Sequence, residues 1–228
     1  MTLFVAITGG TGSGKTTLAA TLSARFGGSL SVLSLDDLVL GRAALAAAGR
    51  VVGDWDDPSL WRWDDLRTHL ADLRAGRPTA VSARSRESRA AGITTLVVEP
   101  RPICALVGHL ALHDSEIAST FEVRVYLDLP EEELLRRRAL RAWAEENREP
   151  YLSRTLLPAH RRLVVPQKTR ATHIVDATKP PTAVLDEVTA ILRGARARSE
   201  AGAPLGSVRP RDANSTEPDW GAPTSHDV

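Results

Sequence analysis

One cysteine, Cys104, stands in 228 residues. That excludes an intrachain disulfide framework and fits a reducing compartment, with a small buried apolar side chain as its expected role. Long apolar runs are missing: none approaches the ~20 residues that cross a bilayer. The N-terminus enters a strand-like run directly, without a basic region and signal-like segment. A dominant charge sign is missing too. Lys and Arg number 29 against 28 Asp and Glu, a formal net charge of +1, which argues against nucleic acid or a membrane surface as partner. No internal repeat is present, and His109, His113 and His160 show no ligand spacing that would suggest zinc. The expectation is a soluble cytoplasmic chain, long enough for one α/β domain with a sizeable core.

What the sequence has is glycine in one place. Gly9-Gly10-Thr11-Gly12-Ser13-Gly14-Lys15-Thr16-Thr17 fits the phosphate-loop pattern G-x-x-x-x-G-K-[ST] from Gly9 to Thr16. The apolar run Leu3–Ile7 ahead of it reads as a buried strand. Thr17–Leu22 behind it reads as a helix that Gly27-Gly28 ends. Glycines let backbone N–H groups converge, and the helix dipole adds positive potential at the same point. Lys15 then serves the β- and γ-phosphates and the Thr16 hydroxyl serves Mg²⁺. The loop predicts a bound nucleoside triphosphate, not its fate.

Four further runs read as strands: Leu30–Ser34, Thr95–Val98, Val123–Leu127 and His173–Val175. Helical spacing covers Pro58–Ala75, with apolar Leu60, Trp63, Leu66, Leu70 and Leu73 before the Gly76 stop. It also covers Glu131–Glu146, with Leu134, Leu135 and Leu140 facing inward, and Pro181–Arg193. Alternating β and α elements imply a parallel five-stranded sheet with helices on both faces, a phosphate-loop NTPase fold with its ligand at the carboxyl ends of the strands. The domain is expected over residues 1–196. Residues 197–228, rich in Pro, Gly, Ser, Asp and Ala, read as a disordered tail whose one large apolar residue is Trp220.

Chemistry is then sought just after the strands. Asp36 and Asp37 follow the second; such a carboxylate takes a proton from an attacking hydroxyl or shares Mg²⁺, or else caps a helix. Glu99 follows Thr95–Val98, where an acid serves Mg²⁺ or its waters, or is a solvated strand end. Arg136, Arg137, Arg138 and Arg141 follow the fourth strand; guanidinium groups stabilise a transferring phosphoryl group, but such runs are more often solvated, and at least two of the four should be surface. Asp54, Asp56 and Asp57 beside Trp55 either bind a sugar diol or cap the next helix.

Together these segments resemble the uridine kinase and phosphoribulokinase superfamily, over about Phe4 to Val175. Ser34-Leu35-Asp36-Asp37-Leu38 resembles its S-x-D-D/S-F/Y segment, implying Asp36 as general base. Asp54–Trp61 is similar to N-F-D-H-P-D-A-F, implying that Asp56 binds ribose hydroxyls. Leu96-Val97-Val98-Glu99 resembles V-V-x-E-G, implying Mg²⁺ at Glu99, with Pro100 where the family has Gly. Arg137-Arg138-Ala139-Leu140-Arg141 resembles R-R-x-L-R at the start of a short lid, implying that Arg138 and Arg141 touch ATP phosphates; the lid's R-G-R reduces to Asn147-Arg148. Tyr151 to Lys168, with Leu157-Pro158-Ala159-His160 and Val165-Pro166-Gln167-Lys168, resembles Y-x(n)-V-K-P-x-H…V-x-P-x-K. The pyrimidine-holding Y-D-F and histidine are absent: Thr79–Arg86 carries neither ring nor histidine. The resemblance implies an ATP- and Mg²⁺-dependent kinase acting on a nucleoside or ribosyl-like alcohol. Two alternatives stay open: a kinase of a pantothenate-like, sugar or other metabolite alcohol, and an ATP-binding regulator that transfers nothing.

Overall fold

The computed structural model describes residues 2–47, 49, 56–84, 90–140 and 151–201. Its centre is a parallel sheet of five strands in the order β2-β5-β1-β6-β7. These are β1 (Leu3–Gly9), β2 (Leu30–Ser34), β5 (Ile103–Val107), β6 (Val123–Asp128) and β7 (His173–Asp176). All seven residues of β1 and all five of β5 are buried, as expected of strands covered on both faces. Helix α1 (Lys15–Phe26) and the helix Pro181–Glu200 enclose one apolar cluster around Val5, Ile7, Leu18, Leu22, Val125, Val188 and Leu192. After a short α2 (Arg42–Ala47), helix α3 (Trp63–Arg74) encloses the other with Phe4, Leu35, Leu66, Leu70, Leu106 and Phe121.

Two expectations about strands need correcting. Thr95–Val98 is a strand but belongs to a separate antiparallel pair: β4 (Thr95–Val98) pairs with β3 (Thr79–Ser82). The strand between β1 and β2 is Ile103–Val107, which the sequence reading passed over. The helices shift less. The Pro58 segment splits into a 3₁₀ turn (Pro58–Leu60), capped by Asp57 through Ser59 N–H (2.9 Å), and α3. The last helix continues from Arg193 to Glu200, past the boundary expected at 196. Leu140 is 71% exposed, not inward-facing, because the helix Glu131–Ala139 has ended before it. Asp54, Trp55, Ser85, Arg86, Arg141, Asn147, Arg148 and the segment 202–228 lie outside the described residues.

Candidate active site

The site grows from the turn after β1. Gly12 and Gly14 take φ of 77° and 89°, a left-handed backbone that glycine adopts without the Cβ penalty. Those residues turn the chain so that Lys15 opens α1 directly behind the loop. The Lys15 ammonium folds over this turn and donates to the carbonyls of Gly9 (2.8 Å) and Gly10 (2.7 Å). Gly10 is also a close-approach position: a Cβ there would lie 2.7 Å from His160 Cε1.

A cleft of about 520 Å³ opens over the loop, and its lining includes Lys15, Thr16, Asp36, Asp56, His109 and Arg138. Lys15 and Thr16 follow β1, Asp36 follows β2, His109 follows β5 and Arg138 lies on the helix after β6, which is why one cleft gathers them; Asp56 joins them from just before the Pro58–Leu60 turn. Asp36 and Asp37 follow β2 in a short 3₁₀ turn, Leu35–Leu38, and the turn separates their roles. Asp36 is exposed and lines the cleft. Asp37 is 2% exposed and accepts the Arg84 N–H at 2.6 Å, a structural tie.

The arginines after β6 are likewise separated. Arg138 lines the cleft and donates to Thr11 Oγ1 at 3.0 Å. Arg137 ties the loop to the sheet through the carbonyls of Gly12 (3.3 Å) and Ala177 (2.9 Å). Arg136 pairs with Glu133 on the surface. Arg137 also bounds a second cleft of about 490 Å³ on the other side of the loop, mostly apolar, with Leu18, Ala177, Pro181 and Leu185 in its wall.

Asp56 is in the cleft, and Asp57, one residue on, is the helix cap. The Asp56 carboxylate lies 3.2 Å from His109 Nε2. The approach is close but poorly aligned, so Nε2, shielded from solvent, makes no well-formed hydrogen bond. Burial alone would raise the Asp56 carboxyl; His109, with Arg138 and Lys15 beyond it, outweighs that and leaves it below its ordinary value. It therefore stands ionised at neutral pH.

Glu99 is not in this cleft. It is exposed and precedes β5, whose first residue Ile103 pairs with Leu3 and Leu30, so it lies at the amino end of the sheet, opposite the loop. The position that an acid–glycine pair would occupy beside the loop strand is the end of β5, and there the chain has Val107-Gly108. Mg²⁺ takes oxygen ligands, commonly one or two carboxylates with waters and phosphate oxygens. The Thr16 hydroxyl and the Asp36 carboxylate, both on the cleft, form an oxygen donor set of that kind; Glu99 does not contribute.

Histidine was the missed signal. His109 follows β5, and His160 lies on the helical segment 152–164; both line the cleft. His160 is 6% exposed, with Nδ1 unbonded among the described residues, and burial pushes its ring below the usual imidazole value, so it is neutral at pH 7. Gln167 lies within the Val165–Lys168 segment. It is 1% exposed and clamps the turn after β5. Its Oε1 accepts from Thr8 Oγ1 (3.1 Å) and Leu112 N–H (2.9 Å), and its Nε2 donates to the carbonyls of His109 (2.8 Å) and Leu163 (2.8 Å). Spacing in the sequence could not reveal either contact, because 159 residues separate Thr8 from Gln167.

Fold and loop together define a phosphate-loop NTPase domain, and a family model described as "AAA domain" matches residues 5–156. A uridine kinase of Halobacterium salinarum is 30% identical over 177 residues, 75% of this chain and 78% of that one. A uridine kinase of Deinococcus deserti is 29% identical over 198 residues, 83% and 94% of the two chains. A solved structure described as a possible uridine kinase from Bacillus stearothermophilus aligns with TM-score 0.50 at 25% identity, covering 77% of this chain and 89% of that one. The chain belongs to the uridine kinase and phosphoribulokinase superfamily of phosphate-loop kinases.

Proposed function

We propose that this kinase transfers the γ-phosphoryl group of ATP to a hydroxyl of a nucleoside or ribosyl-like small molecule. The observation that carries the reading is the single cleft that Lys15, Thr16, Asp36, Asp56 and Arg138 share. The phosphates of ATP lie along Gly9–Thr17, with Lys15 leaving its loop carbonyls for the β- and γ-oxygens. The second cleft, with its apolar wall, takes the base end of the nucleotide. Asp36 accepts the proton of the acceptor hydroxyl as that oxygen bonds to the γ-phosphorus and the bond to the β,γ-bridging oxygen breaks, leaving ADP. Arg138, and Arg141 on the resemblance alone, neutralise charge on the transferring group. Thr16 and Asp36 would hold Mg²⁺, which supplies charge neutralisation at the phosphate oxygens. Asp56 binds the acceptor's vicinal hydroxyls.

The absence of rings in Thr79–Arg84 favours weak selectivity among nucleobases, and it also keeps a non-nucleoside alcohol as the second reading. Incubation with ATP·Mg²⁺ and a panel of ribosides, 2′-deoxyribosides and linear or carbocyclic alcohols, read by product mass, tests both. Ribosides should react ahead of deoxyribosides, because a partly buried carboxylate left unpaired penalises the analogue lacking the hydroxyl. Turnover of the other alcohols without any riboside would select the second reading; nucleotide binding with no product would leave only an ATP-binding regulator.

A further inference from the structure

We infer that His109 positions Asp56 for the acceptor and so sets which alcohol the cleft accepts, an assignment that rests on the kinase reading above. Asp57, one residue after Asp56, caps the turn that follows. The imidazole of His109 meets its carboxylate at 3.2 Å. The ring and the backbone of His109 are each held. The Trp61 ring stands edge-on to it at 5.1 Å between centroids, and Trp61 Nε1 is tied to the Leu35 carbonyl at 3.2 Å. The His109 carbonyl accepts from the buried Gln167 Nε2 (2.8 Å). One residue earlier, Gly108 N–H donates to Ile7 O at 3.1 Å.

The core therefore fixes the His109 backbone and one edge of its ring, and that ring stands against the Asp56 carboxylate at 3.2 Å. A carboxylate held in one orientation offers its two oxygens to two neighbouring hydroxyls, the chemistry of a vicinal diol. His109 acts through Asp56 on binding and orientation, so its loss should fall on the acceptor and spare the nucleotide.

The test compares steady-state rates of wild type, H109A, H109Q and H109N with ATP·Mg²⁺ and the best riboside of the panel. Gln places an amide nitrogen close to where Nε2 lies; Asn is too short. H109A should raise the acceptor KM at least about tenfold, reduce the riboside over 2′-deoxyriboside preference, and leave the ATP KM within about twofold. H109Q should return the acceptor KM to within about threefold of wild type, and H109N should not. A folded H109A with wild-type acceptor KM overturns the inference alone, as does an ATP KM that rises in step. If H109A does not fold, equal and wild-type acceptor KM values for H109Q and H109N overturn it. A wild-type protein that phosphorylates no acceptor removes the kinase reading and this assignment with it.

Discussion

The pair Asp36 and Asp37 gives the sharpest test, because adjacent residues of the same type have opposite surroundings. Asp36 is exposed in the cleft, and Asp37 is 2% exposed with its Oδ1 on the Arg84 N–H at 2.6 Å. Asp36→Asn keeps the shape and removes the proton acceptor. General-base contributions of ~10²–10⁴ correspond to about 2.7–5.4 kcal/mol of transition-state stabilisation. That loss should fall mainly on kcat, with at most a smaller rise in the ATP·Mg²⁺ KM from the Mg²⁺ that Asp36 would share, and an exposed isosteric change should move the melting temperature by less than about 2 °C. Asp37→Asn replaces a charge-assisted hydrogen bond worth ~1.5–3 kcal/mol by a neutral one worth ~0.5–1.5. The difference of about 1–2 kcal/mol should lower the melting temperature by about 2–8 °C at this chain length, with kcat falling less than about tenfold. Initial rates at saturating ATP·Mg²⁺, beside thermal melts of the same preparations, separate the two. If Asp37→Asn abolished turnover without a stability change while Asp36→Asn stayed near wild type, the base would be misassigned.

Gly108→Ala should be costly for reasons of space: its Cβ would meet Leu35 Cβ at 2.4 Å, and neither atom can swing away. Overpacking of this kind costs ~1–3 kcal/mol, and since Leu35 precedes Asp36 the acceptor KM should rise as well; a variant as stable and as active as wild type in denaturant titration and rate assays would contradict the packing. A pH prediction follows from four histidines, His69, His113, His160 and His173, each held below the ordinary 6.5 by burial first of all. Below pH 6.5 the unfolded chain binds more protons than the folded one, so stability rises with pH and is lost on acidification. Glu131 and Glu133, held low first by their arginine partners, and Asp176, held low by Thr178, lose their contribution only as pH falls through their depressed folded values, below the range in which the histidines act. The melting temperature should therefore decline from pH 7 to 5; a flat or rising profile would refute this.

Local signals determined a good part of this protein from the sequence alone. Glycine at positions 12 and 14, Lys15 and Thr16, and an apolar run on one side with a helix on the other are all neighbours in the chain, so the phosphate loop and its α1 helix were legible. So were β2, β6 and β7, whose apolar runs have clear turn residues around them. Strand pairing is a different kind of fact. Thr95–Val98 and Ile103–Val107 are both short apolar runs, and nothing within either says which one lies between β1 and β2. That choice depends on hydrogen bonds to residues about 70 to 100 positions away, and on which run can be buried on both faces. It moved Glu99 from the expected metal position to the far end of the sheet and put Val107-Gly108 beside the loop. Tertiary structure also decided between neighbours of like type: Asp36 from Asp37, Asp56 from Asp57, and Arg138 from Arg136 and Arg137. In each set a rotation of the backbone turns one side chain into the cleft and its neighbours onto a cap, a buried amide, backbone carbonyls or solvent. His109 and Gln167 carried no spacing signal at all, because their partners Asp56, Thr8 and Leu112 are brought to them only when β5 closes the sheet.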